Sequence, residues 1–274
     1  MGTIVAAAAA SHSPGITGFP DTAPEDARER YYAGMRAIAA NFAAAKPDVI
    51  LTVTNEHFVN FYLNNIPAIC IGTATGYYGP VEPFLRIPQG TVPGDRAFGK
   101  NLTAAAIEAG FDVAFSEELN LDHGTMVPMH FVNEGMKTPV VPVMMNNLWP
   151  PVPTPRRVYQ FGKFLASAIA AMPDVRVALL ATGGLSHKVG TIDAGEVNEA
   201  WDREFLDDVV NGRSTKLTGY SFMDIHSIGN GTNEVRNWIC VMGAVDDAPA
   251  EVASYEPMPY EGWATGCGAL IWKV

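Results

Sequence analysis

The sequence predicts an α/β fold: a single domain with a mostly parallel central sheet flanked by helices. Three observations predict it. Short apolar runs alternate with longer stretches of helical period along the chain. The clearest run, Val175–Ala181, is apolar but for Arg176, as expected of a strand covered on both faces. No repeat, heptad or linker divides the chain, so residues 1–274 read as one α/β domain.

Taken in order, Ile4–Ala10 reads as a buried strand, followed by a Ser/Pro/Gly loop to about Pro24. Glu25–Lys46 combines good helix formers with acidic residues at its start and Pro47 just past its end, which predicts a helix. Val49–Thr54 is a β-branched strand ending in Asn55-Glu56-His57, and Pro67–Ile71 is a short apolar run. Asp95–Ala109 predicts a helix stopped by Gly110, and Asp112–Phe115 a strand. Val140–Met145 is the next strand, then a Pro-rich loop leads to a helix at Arg157–Ala171. Asn198–Asn211 and Asn233–Val245 read as helices, the latter with Val235, Trp238, Ile239 and Met242 on one side. Alternation over Cys267–Val274 predicts a final strand.

Composition excludes several partner classes. With 29 acidic against 18 basic residues and a net charge of −11, the surface is poorly suited to nucleic acid or to anionic membranes. Cys70, Cys240 and Cys267 are far apart and form no CxxC pair, which argues against disulfides and thiolate zinc and fits a reducing cytoplasm. The apolar N-terminus has no basic residue before Arg28, unlike a signal peptide, and no run approaches the ~20 residues of a membrane span. A soluble cytoplasmic protein is expected.

The histidines carry the functional signal. His12, His57, His123 and His187 each fall just beyond a predicted strand. One histidine after a strand is ordinarily a loop residue satisfied by a carbonyl. Four in equivalent positions would gather at the carboxyl edge of a parallel sheet, where ligands bind. His130 and His226 have no such placement. Imidazoles without thiolates suit iron, zinc, copper or nickel, and one added carboxylate gives the facial arrangement of non-haem iron(II). Further histidines beside such a centre can give and take protons near neutrality. Residue type and spacing leave the carboxylate open among Glu56, Asp122, Asp193, Glu196 and Glu234.

Several segments together carry a resemblance: Ser11-His12-Ser13-Pro14, Asn55-Glu56-His57, Asp122-His123-Gly124, Gly183-Gly184-Leu185-Ser186-His187 and Asn233-Glu234-Val235-Arg236-Asn237-Trp238. In this order they resemble the class III (type II) extradiol ring-cleaving dioxygenases, in the group typified by the β subunit of protocatechuate 4,5-dioxygenase. The resemblance spans nearly the whole chain. It implies Fe(II) held by His12, His57 and Glu234, with His187 as the acid/base and His123 assisting it. It implies O2 and a small aromatic diol (protocatechuate, gallate or a dihydroxypyridine) as substrates, and a ring-opened semialdehyde as product. Tyr78, Trp263 and Thr265 would flank the ring, the last two standing close to where the family carries a serine. The resemblance further implies either a homo-oligomer or a complex with a separate small α subunit. Competing readings are a zinc hydrolase on the same side chains and a non-catalytic binding module.

Overall fold

The computed structural model describes all residues 1–274. Ten strands are present: β1 (Thr3–Ala10), β2 (Val49–Thr54), β3 (Ile69–Gly72), β4 (Gly76–Gly79), β5 (Gly90–Pro93), β6 (Ala114–Ser116), β7 (Val140–Met145), β8 (Arg176–Thr182), β9 (Ala250–Met258) and β10 (Thr265–Trp272). Between them lie α1 (Gly15–Gly18), α2 (Glu25–Ala45), α3 (Arg96–Glu108), α4 (His123–Val132), α5 (Pro155–Ala171), α6 (Glu199–Val210), α7 (Ser214–Thr218), α8 (Phe222–His226) and α9 (Val235–Ala244). Eight strands form one sheet in the order β6-β3-β7-β2-β8-β1-β10-β9, and β4 and β5 make a separate hairpin. The centre, β7-β2-β8-β1, is wholly parallel; β3 joins β7, and β10 joins β1 and β9, in antiparallel fashion. This is the predicted mostly parallel α/β sheet.

Both faces of the central strands are buried, which is why these read as apolar runs rather than as alternations. The alanines of β1 divide between two cores. Ala7 and Ala9 join the core under α5 and α9, while Ala6, Ala8 and Ala10 join the one under α2 and α4. Such small residues let helices approach the sheet closely. The α5–α9 contact is tighter still: a Cβ on Gly162 would lie 1.8 Å from the Cys240 carbonyl oxygen.

Boundaries differ from expectation in physically traceable ways. The first long helix ends at Ala45, because Lys46 adopts a left-handed φ of 47° as its cap. His123 is the first residue of α4, a helix the sequence pattern does not predict, whose N-cap Asp122 accepts the Gly124 N–H at 2.9 Å. Glu234 ends a 3-10 turn, Gly231–Glu234, immediately before α9 rather than lying in the first turn of that helix. No helix is long and apolar enough to cross a membrane.

Candidate active site

Strands β2, β8 and β1 are neighbours, so their carboxyl ends lie side by side at one edge of the sheet. His12 leaves β1, His57 leaves β2, and the Gly183–His187 loop leaves β8 at this edge. The start of α4 brings His123 against them. The rings of His57 and His123 stack at 3.9 Å, and His12 meets both edge-on at 5.1 and 5.6 Å. Four histidines scattered over the sequence therefore line one cavity of about 580 Å³, together with Glu234, Trp263 and Thr265.

Hydrogen bonds fix how each imidazole faces the cavity. His12 Nδ1 lies 3.0 Å from the Gly124 carbonyl oxygen, which can only accept, so the proton sits on Nδ1 and Nε2 carries a lone pair. That Nε2 is buried without any hydrogen-bond partner, yet is 3.1 Å from Glu234 Oε2. His57 repeats the arrangement. Its Nδ1 and its backbone N–H face Asp122 Oδ2 at 3.0 and 2.8 Å, and its Nε2 is 3.3 Å from Glu234 Oε1. His187 Nδ1 bonds the Leu185 carbonyl at 3.0 Å, and its Nε2 is 3.8 Å from Glu234 Oε2. Each ring is thus anchored through Nδ1 and presents Nε2 to a common carboxylate.

Glu234 itself is held from behind. The Gly184 N–H donates to Oε2 at 2.7 Å and the Asn55 amide donates to Oε1 at 3.0 Å. Asn55 is oriented by Asn237, which donates to its Oδ1 at 3.1 Å, and Asn147 donates to Asn237 at 2.8 Å. Gly183 lets the loop pass over this carboxylate. Its φ of +135° favours glycine, and a Cβ there would sit 2.8 Å from Glu234 Cβ.

The electrostatics follow from burial and from these neighbours. Burial pushes His57 downward, but Asp122 and Glu234 outweigh it and hold His57 up at about 10. Burial lowers His123, and the adjacent His57 lowers it further. Burial also lowers His187. Glu234, although burial opposes its charge, is held well below the usual carboxylate range by His12 and His187. The carboxylates at this point call for a cation among them.

A metal ion fits that demand. His12 Nε2 and His57 Nε2 lie 3.1 and 3.3 Å from the Glu234 oxygens, contacts that call for a positive charge between them: a proton, as on the raised His57, or a metal ion that displaces it. Ligands about 2.1 Å from one ion and at right angles to each other stand about 3 Å apart, the spacing found here. His12, His57 and His123 also offer ring nitrogens within 4.8 Å of one another.

Sequence reasoning did not find the partners behind these groups. Glu82, in the segment between β4 and β5, accepts the His123 backbone N–H at 3.1 Å and faces His123 Nδ1 at 2.7 Å. Asp202 in α6 accepts from the Ser186 N–H, the Ser186 hydroxyl and the Tyr255 hydroxyl at 2.7–2.8 Å, bracing the loop before His187. Among the other carboxylates considered, Glu56 accepts the backbone N–H groups of Val59 and Asn60, and Asp193 and Glu196 pair with Lys188. Tyr78 is a correction: it does not line the cavity. Strand alternation buries Tyr77 at 1% exposure and turns Tyr78 outward at 47%; what Tyr78 supplies is a backbone carbonyl for Leu121. His130 is exposed, and His226 lies 3.0 Å from the Asn233 amide, away from the cluster.

Comparison with known proteins gives the family of the chain. Residues 6–265 match the family model described as the catalytic LigB subunit of aromatic ring-opening dioxygenase. A 2,3-dihydroxyphenylpropionate/2,3-dihydroxicinnamic acid 1,2-dioxygenase of Paraburkholderia xenovorans (strain LB400) is 28% identical over 95% of each chain. A protein of the same name from Mycobacterium sp. (strain MCS) is 28% identical over 76% of this chain and 80% of its own. Among solved structures, the uncharacterized protein JW3007 from Escherichia coli K12 superposes with a TM-score of 0.61 over 98% of this chain and 100% of that one. At 16% identity it shows a shared fold alone.

Proposed function

Because the chain belongs to the family of catalytic subunits of aromatic ring-opening dioxygenases, we propose that its histidine cluster is the centre at which a catechol is opened, with ferrous iron as the metal. The enzyme is an extradiol dioxygenase that acts on a catechol-type substrate with O2. His12, His57 and Glu234 are the ligands in this reading, and residues 1–274 act as one catalytic domain. The observation that carries it is the pair of Nδ1-anchored imidazoles whose Nε2 atoms both meet one buried carboxylate. His123 is set aside as a ligand because its ring stacks on His57 at 3.9 Å and its Nδ1 is held by Glu82 at 2.7 Å.

Iron held there, with two imidazoles and one carboxylate, supplies open positions for a diol and dioxygen together with redox chemistry that zinc lacks. The chain's own side chains supply the rest. His187, its Nδ1 proton committed to Leu185, presents Nε2 to the cavity and takes the hydroxyl proton of the diol. His123, steadied by Glu82, is the second proton carrier and serves the later transfers to the opened ring. Trp263 and Thr265 form the wall beside the ring. The product is a ring-opened semialdehyde-type compound. Candidate substrates are protocatechuate, gallate and dihydroxypyridines, and also the 2,3-dihydroxyphenylpropionate named for the relatives. Exposed Tyr62 and Leu63, outside the cavity, support assembly as a homo-oligomer or with a small separate subunit, in the cytoplasm.

The test is anaerobic loading with Fe(II), followed by oxygen uptake over a panel of catechols. Oxygen consumption with a yellow product is expected, His187→Ala keeping its iron while losing at least about 100-fold in rate. Glu234→Gln is expected to purify without iron. Hydrolysis supported by zinc, with no oxygen consumed, would replace this reading by the hydrolase.

A further inference from the structure

The cavity lining bears on which catechols enter. Lys188 is the one lysine or arginine that lines it. Its ammonium is already held by two carboxylates, Asp193 and Glu196, the latter at 2.7 Å. Arg236, the buried cation of the Glu234 segment, does not reach the cavity. It donates to the Pro153 carbonyl at 2.8 Å and to Asn233 at 2.7 and 3.1 Å. Two neutral polar groups of the wall, Ser13 and Asn230, are committed as well. The Ser13 hydroxyl donates to the Gly262 and Trp263 carbonyls, and the Asn230 amide bonds both the N–H and the C=O of Val189 at 2.8 Å. What remains toward the mouth is apolar: Phe58, Trp149 and Val189 line the cavity while 38, 53 and 59% exposed.

We infer that the enzyme selects catechols with an uncharged, apolar substituent (alkyl or aryl) over catechols that carry a carboxylate. This rests on the ring-opening reading above and narrows its substrate. A carboxylate on the ring or side arm would find no free cation. It would meet Glu234 and a Lys188 already neutralised by Asp193 and Glu196, and would surrender its water without a compensating ion pair. An alkyl or aryl arm loses nothing there and gains contact with Phe58, Trp149 and Val189. The preference therefore departs from the carboxylated compound named for the relatives.

Matched ligands test it by anaerobic calorimetric binding to the Fe(II)-loaded protein: 3-propylcatechol against 2,3-dihydroxyphenylpropionate, and 4-methylcatechol against protocatechuate. The neutral member of each pair is expected to bind at least about tenfold tighter, roughly 1.4 kcal/mol. Asp193→Asn combined with Glu196→Gln frees the Lys188 ammonium and is expected to narrow that ratio at least about threefold. Equal or tighter binding of the carboxylated member would overturn the inference, and so would a ratio that the double variant leaves unchanged. Oxygen uptake with unsubstituted catechol is measured alongside. A carboxylate preference with oxygen uptake intact refutes the specificity alone, while a neutral preference without uptake refutes the reaction alone.

Discussion

Replacing Asp122 by asparagine changes one oxygen to an NH2 at the point where three elements meet. Asp122 is fully buried; Oδ1 caps α4 through Gly124, and Oδ2 takes both the backbone N–H and the Nδ1–H of His57. Asparagine can keep only one of these roles. If its oxygen stays on Gly124, its amide points hydrogens at two His57 donors. His57 must then move its proton to Nε2, which destroys the lone pair facing Glu234. If the oxygen turns to His57, the cap is lost and with it the only partner of the buried Gly124 N–H, at about 1–3 kcal/mol. Asp122→Asn should therefore lower stability by about 1–3 kcal/mol and, as for other groups behind a metal ligand, weaken iron binding about 10–100-fold. Denaturant unfolding reads the first and anaerobic iron titration the second. Iron affinity equal to that of the unaltered protein would refute the view that Asp122 sets the His57 proton.

Glu82→Gln should leave iron content unchanged while reducing kcat at least about tenfold, because His123 loses the charge that steadies its Nδ1–H; metal analysis alongside steady-state oxygen uptake checks both. Glu82→Asp should recover less than the full rate, since the shorter arm cannot serve both the backbone and the ring of His123. Asp202 gives a pH signature. Burial raises it to about 6 in the folded protein, above its ordinary 3.8, so the folded state holds the proton more tightly than the unfolded one. Its contribution is full below about pH 3.8 and is lost as pH rises through 6. The stability of the protein relative to Asp202→Asn should fall by about 2–3 kcal/mol between pH 4 and pH 7, as measured by denaturant unfolding at each pH.

The parts of the molecule visible in the sequence are those governed by local pattern. β1, β2 and β8 announce themselves as apolar runs buried over most of their length, and the positions of His12, His57 and His187 follow from where those strands end. β4, β5 and β9 were not anticipated. The first two are four-residue segments rich in Gly and Pro, and β9 is a partly exposed edge strand with no clean alternation. Helix α4 was obscured by Gly124 and by Pro128 within it. Glu234 was chosen through family resemblance, since nothing local separates it from Glu56 or Asp193. Only the fold shows it beside Asn55 and Gly184. Glu82 and Asp202 lay beyond reach for the same reason: each acts on a histidine or serine brought near by the sheet, across 41 and 16 residues of chain.

Crystals of the protein loaded anaerobically with Fe(II) would place the metal by anomalous scattering at the iron edge. One peak about 2.0–2.3 Å from His12 Nε2, His57 Nε2 and a Glu234 oxygen is expected. A peak bound by His123 in place of Glu234, or no peak within this cluster, would contradict the proposed centre.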